Sequence, residues 1–157
     1  MSNSTPLATE GSTKFTRQVA ALCWRMHKGK VQVLLITSRE TGRWVIPKGW
    51  PMDGMSAASA AAQEAWEEAG VQGVVGDLAL GQFVYDKILP AKALRCAVEV
   101  FPLRVKELKS KFPEAKERRR AWHRASEAAD LVAEPDLRDL MALIGRQPQI
   151  LQSVPTA

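Results

Sequence analysis

GWPMDGMSAASAAAQEAWEEAGV, running from Gly49 to Val71, is the stretch on which the reading of this chain turns. Ser56 to Ala69 is dominated by alanine, the strongest helix former, and Gly70 stands where a helix ends just past its last turn. A helix this rich in alanine has a thin, smooth side, so its backbone can lie close against a sheet. Glu64, Glu67 and Glu68 follow at i, i+3 and i+4, which sets all three on one face. Like charges one turn apart repel, and the last turns of a helix already disfavour negative charge. The positions one turn away, Ala60, Ala61, Val71 and Gln72, carry no base. A solvated acidic face is the plain alternative, but such faces interleave Lys or Arg, and this one does not. A hard divalent cation such as Mg²⁺ would relieve the repulsion, since it takes oxygen from a few carboxylates and completes its shell with water and phosphate.

Outward from this helix the chain is mostly strand. RQVAALCWRM (Arg17 to Met26) and VQVLLITS (Val31 to Ser38) read as a hairpin around the turn HKGK (His27 to Lys30). A short strand, RWVIP (Arg43 to Pro47), leads into PKGWPMDG, whose prolines and glycines fix a backbone path. Val71 to Ile88 and Leu94 to Val105 read as strands, KELKSKFPEAKERRR (Lys106 to Arg120) as a charged loop and AWHRA (Ala121 to Ala125) as a strand. Two helices close the chain: Ser126 to Val132, with Ser126 as candidate cap, and Pro135 to Ile144, stopped at Gly145. Strands mixed with a few helices, without strict alternation, predict an α+β fold layered as an α/β/α sandwich.

The 157 residues suit one domain with its own core. The expected organisation is a disordered N-terminal tail over 1–13, the folded domain over 14–146 and a C-terminal tail over 147–157. No run of 18 apolar residues is present to span a membrane, and the polar start lacks the features of a secretory signal. Cys23 and Cys96 lie far apart without a second ligand at metal spacing, which fits buried thiols and a cytoplasmic location. The net charge of +5 hides a division: Gly49 to Gln82 has no Lys or Arg, but holds Asp53, Glu64, Glu67, Glu68 and Asp77. An acidic centre in a basic surround suits a cation and an anionic ligand held together. Aromatic and basic residues do not interleave as on a single-strand platform, which argues against RNA as partner. Trp24, Trp44 and Trp122 read as core or half-buried strand residues. In a strand, the run Arg118, Arg119, Arg120 would face alternate sides.

With Gly49, the helix resembles the Nudix box, G-x5-E-x7-R-E-U-x-E-E-x-G-U, where U is aliphatic. Gly49, Glu64, Glu67, Glu68, Gly70 and Val71 match it; Met55 replaces the first Glu, Gln63 the Arg, and Ala65 a larger aliphatic residue. RQVAALCWR, TSRETGRWVIPKG and ERRRAWHRASEAADLV resemble, in order, segments of the diphosphoinositol polyphosphate and diadenosine polyphosphate phosphohydrolases within this superfamily. The resemblance implies a Nudix fold, with a mixed central sheet flanked by helices. It implies Glu64, Glu67 and Glu68 as catalytic residues, and the same glutamates with the Gly49 carbonyl as ligands of Mg²⁺ or Mn²⁺. Arg17, Ser38, Arg39 and Lys48 become candidates for gripping phosphates, by arginine forks and a lysine point charge. The implied reaction is hydrolysis of a diphosphate linkage in a phosphorylated small molecule, by a monomer or homodimer. Met55 and Gln63 keep open a second reading, a Nudix-fold sensor that binds its ligand without cleaving it.

Overall fold

The alternation along the first strand sets the layers. In the computed structural model, which describes residues 15–152, β1 (Thr16–His27) is central in a mixed sheet. Ala20, Leu22 and Trp24 point into one core, and Val19, Ala21 and Cys23 into another on the opposite face. With both faces covered, the strand reads as a continuous apolar run and not as an alternating one. The tail expected over 1–13 lies outside the described residues.

β1 turns through Lys28 and Gly29, both at positive φ, into β2 (Lys30–Thr37). Two such residues give a hairpin turn whose twist matches that of the strands. β3 (Trp44–Val45) adds to β2, and β4 (Lys48–Gly49) adds to β1 with Gly49 opposite Val19. After α1 (Ala57–Ala69) come β5 (Val71–Val75), β6 (Gly81–Ile88), β7 (Ala93–Leu108) and β8 (Arg120–Arg124). α2 (Ala125–Leu131) and α3 (Pro135–Arg146) close the domain. The sheet runs β3-β2-β1-β7-β5, with β6 also on β7 and β8 also on β2. β1 and β7 run parallel, and the other pairs are antiparallel. One face carries α1 and the other α2 and α3, so the expected α+β sandwich forms.

α1 is defined at both ends. The Ser56 hydroxyl accepts from the Ser59 N–H at 3.1 Å, and Gly70, at φ 69°, donates its N–H to the Trp66 carbonyl at 3.0 Å. Between them Ala58, Ala60, Ala61, Ala65 and Ala69 are buried against the sheet. Their small volume brings the helix axis close to β1 and β4.

Several boundaries differ from the sequence reading, each for a local reason. The apolar stretch Val71 to Ile88 divides into β5 and β6, which lie end to end along one edge of β7, because residues 76–80 loop out between Gly76, bonded to the Pro102 carbonyl, and Leu80, bonded to that of Val100. Ser126 is not the cap of α2; Arg124 takes that place, and the Glu127 carboxylate accepts its N–H at 3.2 Å. Gly145 does not stop α3, which runs on to Arg146, and a Cβ there would meet Ser126 only at ordinary van der Waals distance. Pro148–Gln152 forms a 3₁₀ turn that buries Leu151 in the core beneath α2 and α3.

Gly70 combines a left-handed backbone with a crowded site, where an added Cβ would lie 2.8 Å from the Lys109 carbonyl and against the Phe112 ring. Gly70→Ala should therefore cost at least about 1–2 kcal/mol, the penalty of a left-handed L-residue. Urea denaturation would show this as a lowered midpoint at unchanged slope.

Candidate active site

Glu64 and Glu68, one turn apart on α1, are each only 9% exposed and meet beside Gly49 of β4. A Cβ at residue 49 would land on the Glu64 carboxyl, so the strand approaches this closely only because the residue is glycine. Glu68 turns Oε1 to the N–H of Lys48, at 3.3 Å, and Oε2 to the Arg118 guanidinium, with Nη2 at 3.7 Å. Glu67 stands at the rim, where its Oε2 accepts from Gln63 Nε2 at 2.8 Å and its carbonyl from the Glu114 N–H at 3.0 Å. Of the three glutamates on this face, two are in contact. Met55, at the position of the first box Glu, is 44% exposed and brings no oxygen to them.

The pair is electrostatically crowded. Burial pushes the Glu64 carboxyl from 4.5 up to about 8, aided by the charge of Glu68, the hydrogen bond between the two carboxyls and the charges of Glu67 and Glu114. Burial also raises Glu68, against the pull of Arg118, while Glu114 adds to the rise and Lys48 opposes it. Among the described residues no three His, Cys, Asp or Glu side chains form a ready-made ligand set. The arrangement still fits Mg²⁺, which binds through one or two carboxylates and leaves its other positions to water and phosphate. Two crowded carboxylates offer it oxygen and charge, and the missing Cβ at Gly49 lets the Glu64 carboxyl pack directly against the strand that carries the Gly49 carbonyl.

The four candidate phosphate contacts are placed differently. Lys48 Nζ lies 4.8 Å above the Tyr85 ring, whose hydroxyl donates to Gln18 Oε1 at 2.7 Å. Burial lowers the pKa of this ammonium, while Glu68 and Glu134 pull it up. Ser38 and Arg39 line a groove of about 310 Å³ with Lys116, Arg118 and Arg119. Ser38 Oγ shares a hydrogen bond with Thr41 Oγ1 at 2.9 Å, and Arg39 reaches Glu117 at 2.9 Å and Glu114 at 3.9 Å. Arg17 is 63% exposed and pairs with Glu99 at 3.4 Å. Lys48 thus touches the carboxylate pair through its backbone N–H while its ammonium turns over Tyr85, Ser38 and Arg39 line a groove joined to the pair through Arg118, and Arg17 faces solvent.

Sequence reasoning missed the bases that serve α1. Arg118 and Arg120 approach the helix, while Arg119 turns to Trp44, 5.9 Å from its ring. Arg120 Nη1 donates to the Ala69 carbonyl at 2.6 Å, which supplies the cation that the end of α1 lacks in its own sequence. The available signal was the i, i+2 spacing of two arginines at the start of a strand. It also missed Glu134, the N-cap of α3, which holds Arg43 at 2.9 Å and ties α3 to the segment leading into β3.

A mixed sheet between helix layers, with a glycine-backed carboxylate pair on the helix after its fourth strand, defines a Nudix-type sandwich. Residues 16–144 match the NUDIX domain model, and the chain belongs to that family. It is similar to Nudix hydrolase 12, mitochondrial, of Arabidopsis thaliana, at 36% identity over 110 residues, covering 65% of this chain and 52% of that one. Diphosphoinositol polyphosphate phosphohydrolase 3-alpha of Mus musculus is 31% identical over 116 residues, covering 73% of this chain and 67% of the mouse protein. The chain spans about half to two thirds of the length of these curated relatives. The crystal structure of a C. elegans Ap4A hydrolase shares the fold with a TM-score of 0.61 at 16% identity, covering 85% of this chain and 98% of that one.

A carboxyl whose pKa is higher in the folded state stabilises the fold fully below its unfolded value and loses that contribution as pH rises through the folded value. For Glu64 the window runs from 4.5 to about 8. The metal-free protein should therefore lose melting temperature across this range relative to Glu64→Gln, with the two measured side by side. A constant difference between them would contradict the assignment.

Proposed function

We propose that this chain is a metal-dependent pyrophosphohydrolase that cleaves a diphosphate linkage in a strongly anionic small molecule. The observation that carries the proposal is the buried Glu64–Glu68 pair behind Gly49, bonded by the Lys48 backbone N–H, with a groove lined by Arg39, Lys116 and Arg119 adjoining. Glu64 and Glu68, with Glu67 at the rim and the Gly49 carbonyl, would hold Mg²⁺ or Mn²⁺. When bound, such a cation lowers the pKa of a water and offsets the charge that builds on phosphate.

Water attacks one phosphorus of X-P-O-P-Y, the bridging P–O bond breaks, and two phosphorylated products leave. One of the box glutamates takes the proton from the water. Little covalent chemistry is asked of the protein, so positioning and charge do most of the work. Lys48 would turn its ammonium from the Tyr85 ring to set a point charge against a substrate oxygen. Ser38 and Arg39 receive further phosphates in the groove, where Arg39 exchanges Glu117 for substrate. Arg17 can swing from its exposed pair with Glu99, because such pairs are weak.

The substrate classes that fit this reading are diphosphoinositol polyphosphates, dinucleoside polyphosphates and other nucleoside diphosphate derivatives. The groove with Arg39, Lys116 and Arg119 supports a compound with more charge than the diphosphate alone. Cys23 and Cys96 are unpaired and buried, in keeping with a reducing compartment such as the cytoplasm. Among the described residues, no helix is long and apolar enough to cross a membrane.

Glu68→Gln should reduce Mg²⁺-dependent turnover by orders of magnitude, and near-normal activity would sink the proposal. A screen of diphosphate compounds against Mg²⁺ and Mn²⁺, with products identified, would name the substrate. Binding of nonhydrolysable analogues without any product release would favour the sensor, to which Met55 and Gln63 point.

A further inference from the structure

We infer that Arg118 is the positioning residue that holds the Glu68 carboxylate in place, a task no base on α1 performs. The inference rests on the hydrolase reading above. From Gly49 to Gln82 the chain has no Lys or Arg, so any cation at the pair must come from elsewhere. Gln63, the nearest polar neighbour on the helix, is bonded to Glu67. Glu68 Oε2 therefore looks to Arg118, which stands at the end of the loop before β8.

The arginine is held as a rigid fork. Its side chain is 9% exposed, with Nη1 donating to the Thr37 carbonyl at 3.0 Å and Nε to Glu114 Oε1 at 2.7 Å. The backbone on its C-terminal side is fixed to the same residue, because the Arg119 carbonyl accepts from the Thr37 N–H at 3.0 Å and the Arg119 N–H donates to Thr37 Oγ1 at 2.9 Å. These bonds hold the guanidinium plane from the sheet side, and the remaining arm, Nη2, faces Glu68 at 3.7 Å. That separation is longer than a charge-assisted hydrogen bond of about 2.7–2.9 Å. The guanidinium thus orients Glu68 through its field and leaves an oxygen lone pair available. A lysine could not make the same set of contacts, since an ammonium is a single point without a planar fork.

The test compares wild type, Arg118→Gln, Arg118→Lys, Glu68→Gln and the double variant Glu68→Gln with Arg118→Gln. Mn²⁺ affinity is read by electron paramagnetic resonance, kcat and KM on a diphosphate substrate, and fold by circular dichroism. Loss of a group that orients a ligand typically lowers metal affinity about 10–100-fold, so Arg118→Gln should fall in that range, with kcat reduced and KM little changed. Arg118→Lys should lie between it and wild type. In the Glu68→Gln background the Arg118→Gln effect on Mn²⁺ should vanish, because the arginine acts through that carboxylate. Unchanged Mn²⁺ affinity with a raised KM alone would overturn the inference, since Arg118 would then grip substrate. An undiminished effect in the Glu68→Gln background would overturn it too. If Arg118→Gln fails to fold, Arg118→Lys takes its place in the cycle, and wild-type affinity in that variant counts against the inference. Wild type that binds Mn²⁺ but cleaves no diphosphate would defeat the hydrolase reading, while the affinity cycle still judges Arg118.

Discussion

Two carboxylates pressed together on one side of α1 are the constraint on which the rest of this structure depends. Glu64 and Glu68 are both buried and both raised, and α1 carries no base. Removing carboxylates from water is costly unless charge and hydrogen bonds are supplied in return. That supply comes from three places in the chain: the N–H of Lys48, the guanidinium of Arg118 and the contact of Arg120 with the helix end. Glu64 receives the least of it, which leaves the pair short of positive charge on the side of Gly49.

The sheet delivers these groups because its strands are threaded to do so. β4 lies on β1 with Gly49 opposite Val19, so the box glycine sits directly over the face that α1 covers. β8 lies on β2 with Arg120 opposite Ile36, which carries Arg118 up to Thr37 and within reach of Glu68. The alanines of α1 set how near the helix comes, and a thicker side would lift the carboxylates away from both strands. Packing positions such as Ala61 and Ala65 thus bear on the chemistry as directly as charged ones do.

Much of this was legible beforehand. The helix, its stop at Gly70 and the hairpin at Lys28 and Gly29 follow from local rules of propensity and backbone geometry, and Ser56, read as the first helical residue, is its cap. The spacing of Glu64, Glu67 and Glu68 also placed them on one face, but spacing could not tell that Glu67 would turn to Gln63 while the other two met. That choice depends on where β4 presses against the helix, a tertiary fact. Arg118 was hidden for a similar reason: it belongs to a charged loop in sequence and becomes buried only through pairing of β8 with β2. Ser126 and Gly145 were read as helix boundaries because each has the residue type of a cap, whereas α2 begins one residue earlier on the Arg124–Glu127 bond and α3 continues through Gly145 to Arg146.

The parallel pairing of β1 with β7 has a consequence for how the molecule is made. It sets Thr16 opposite Cys96, so the centre of the sheet closes only after a long intervening chain has been ordered, whereas the β1–β2 hairpin and α1 need only near neighbours. Contacts between distant residues carry the larger loop-closure entropy and slow the search. β8 is later still in the chain, and the arginines of its approach are the ones α1 requires. During synthesis α1 is made before the arginines that serve it, so its acids lack those partners until the approach to β8 emerges. Docking of β8 both completes the sheet and brings Arg118 and Arg120 to α1, so the last strand in the chain links the cooperativity of folding to the charge balance of the carboxylate pair.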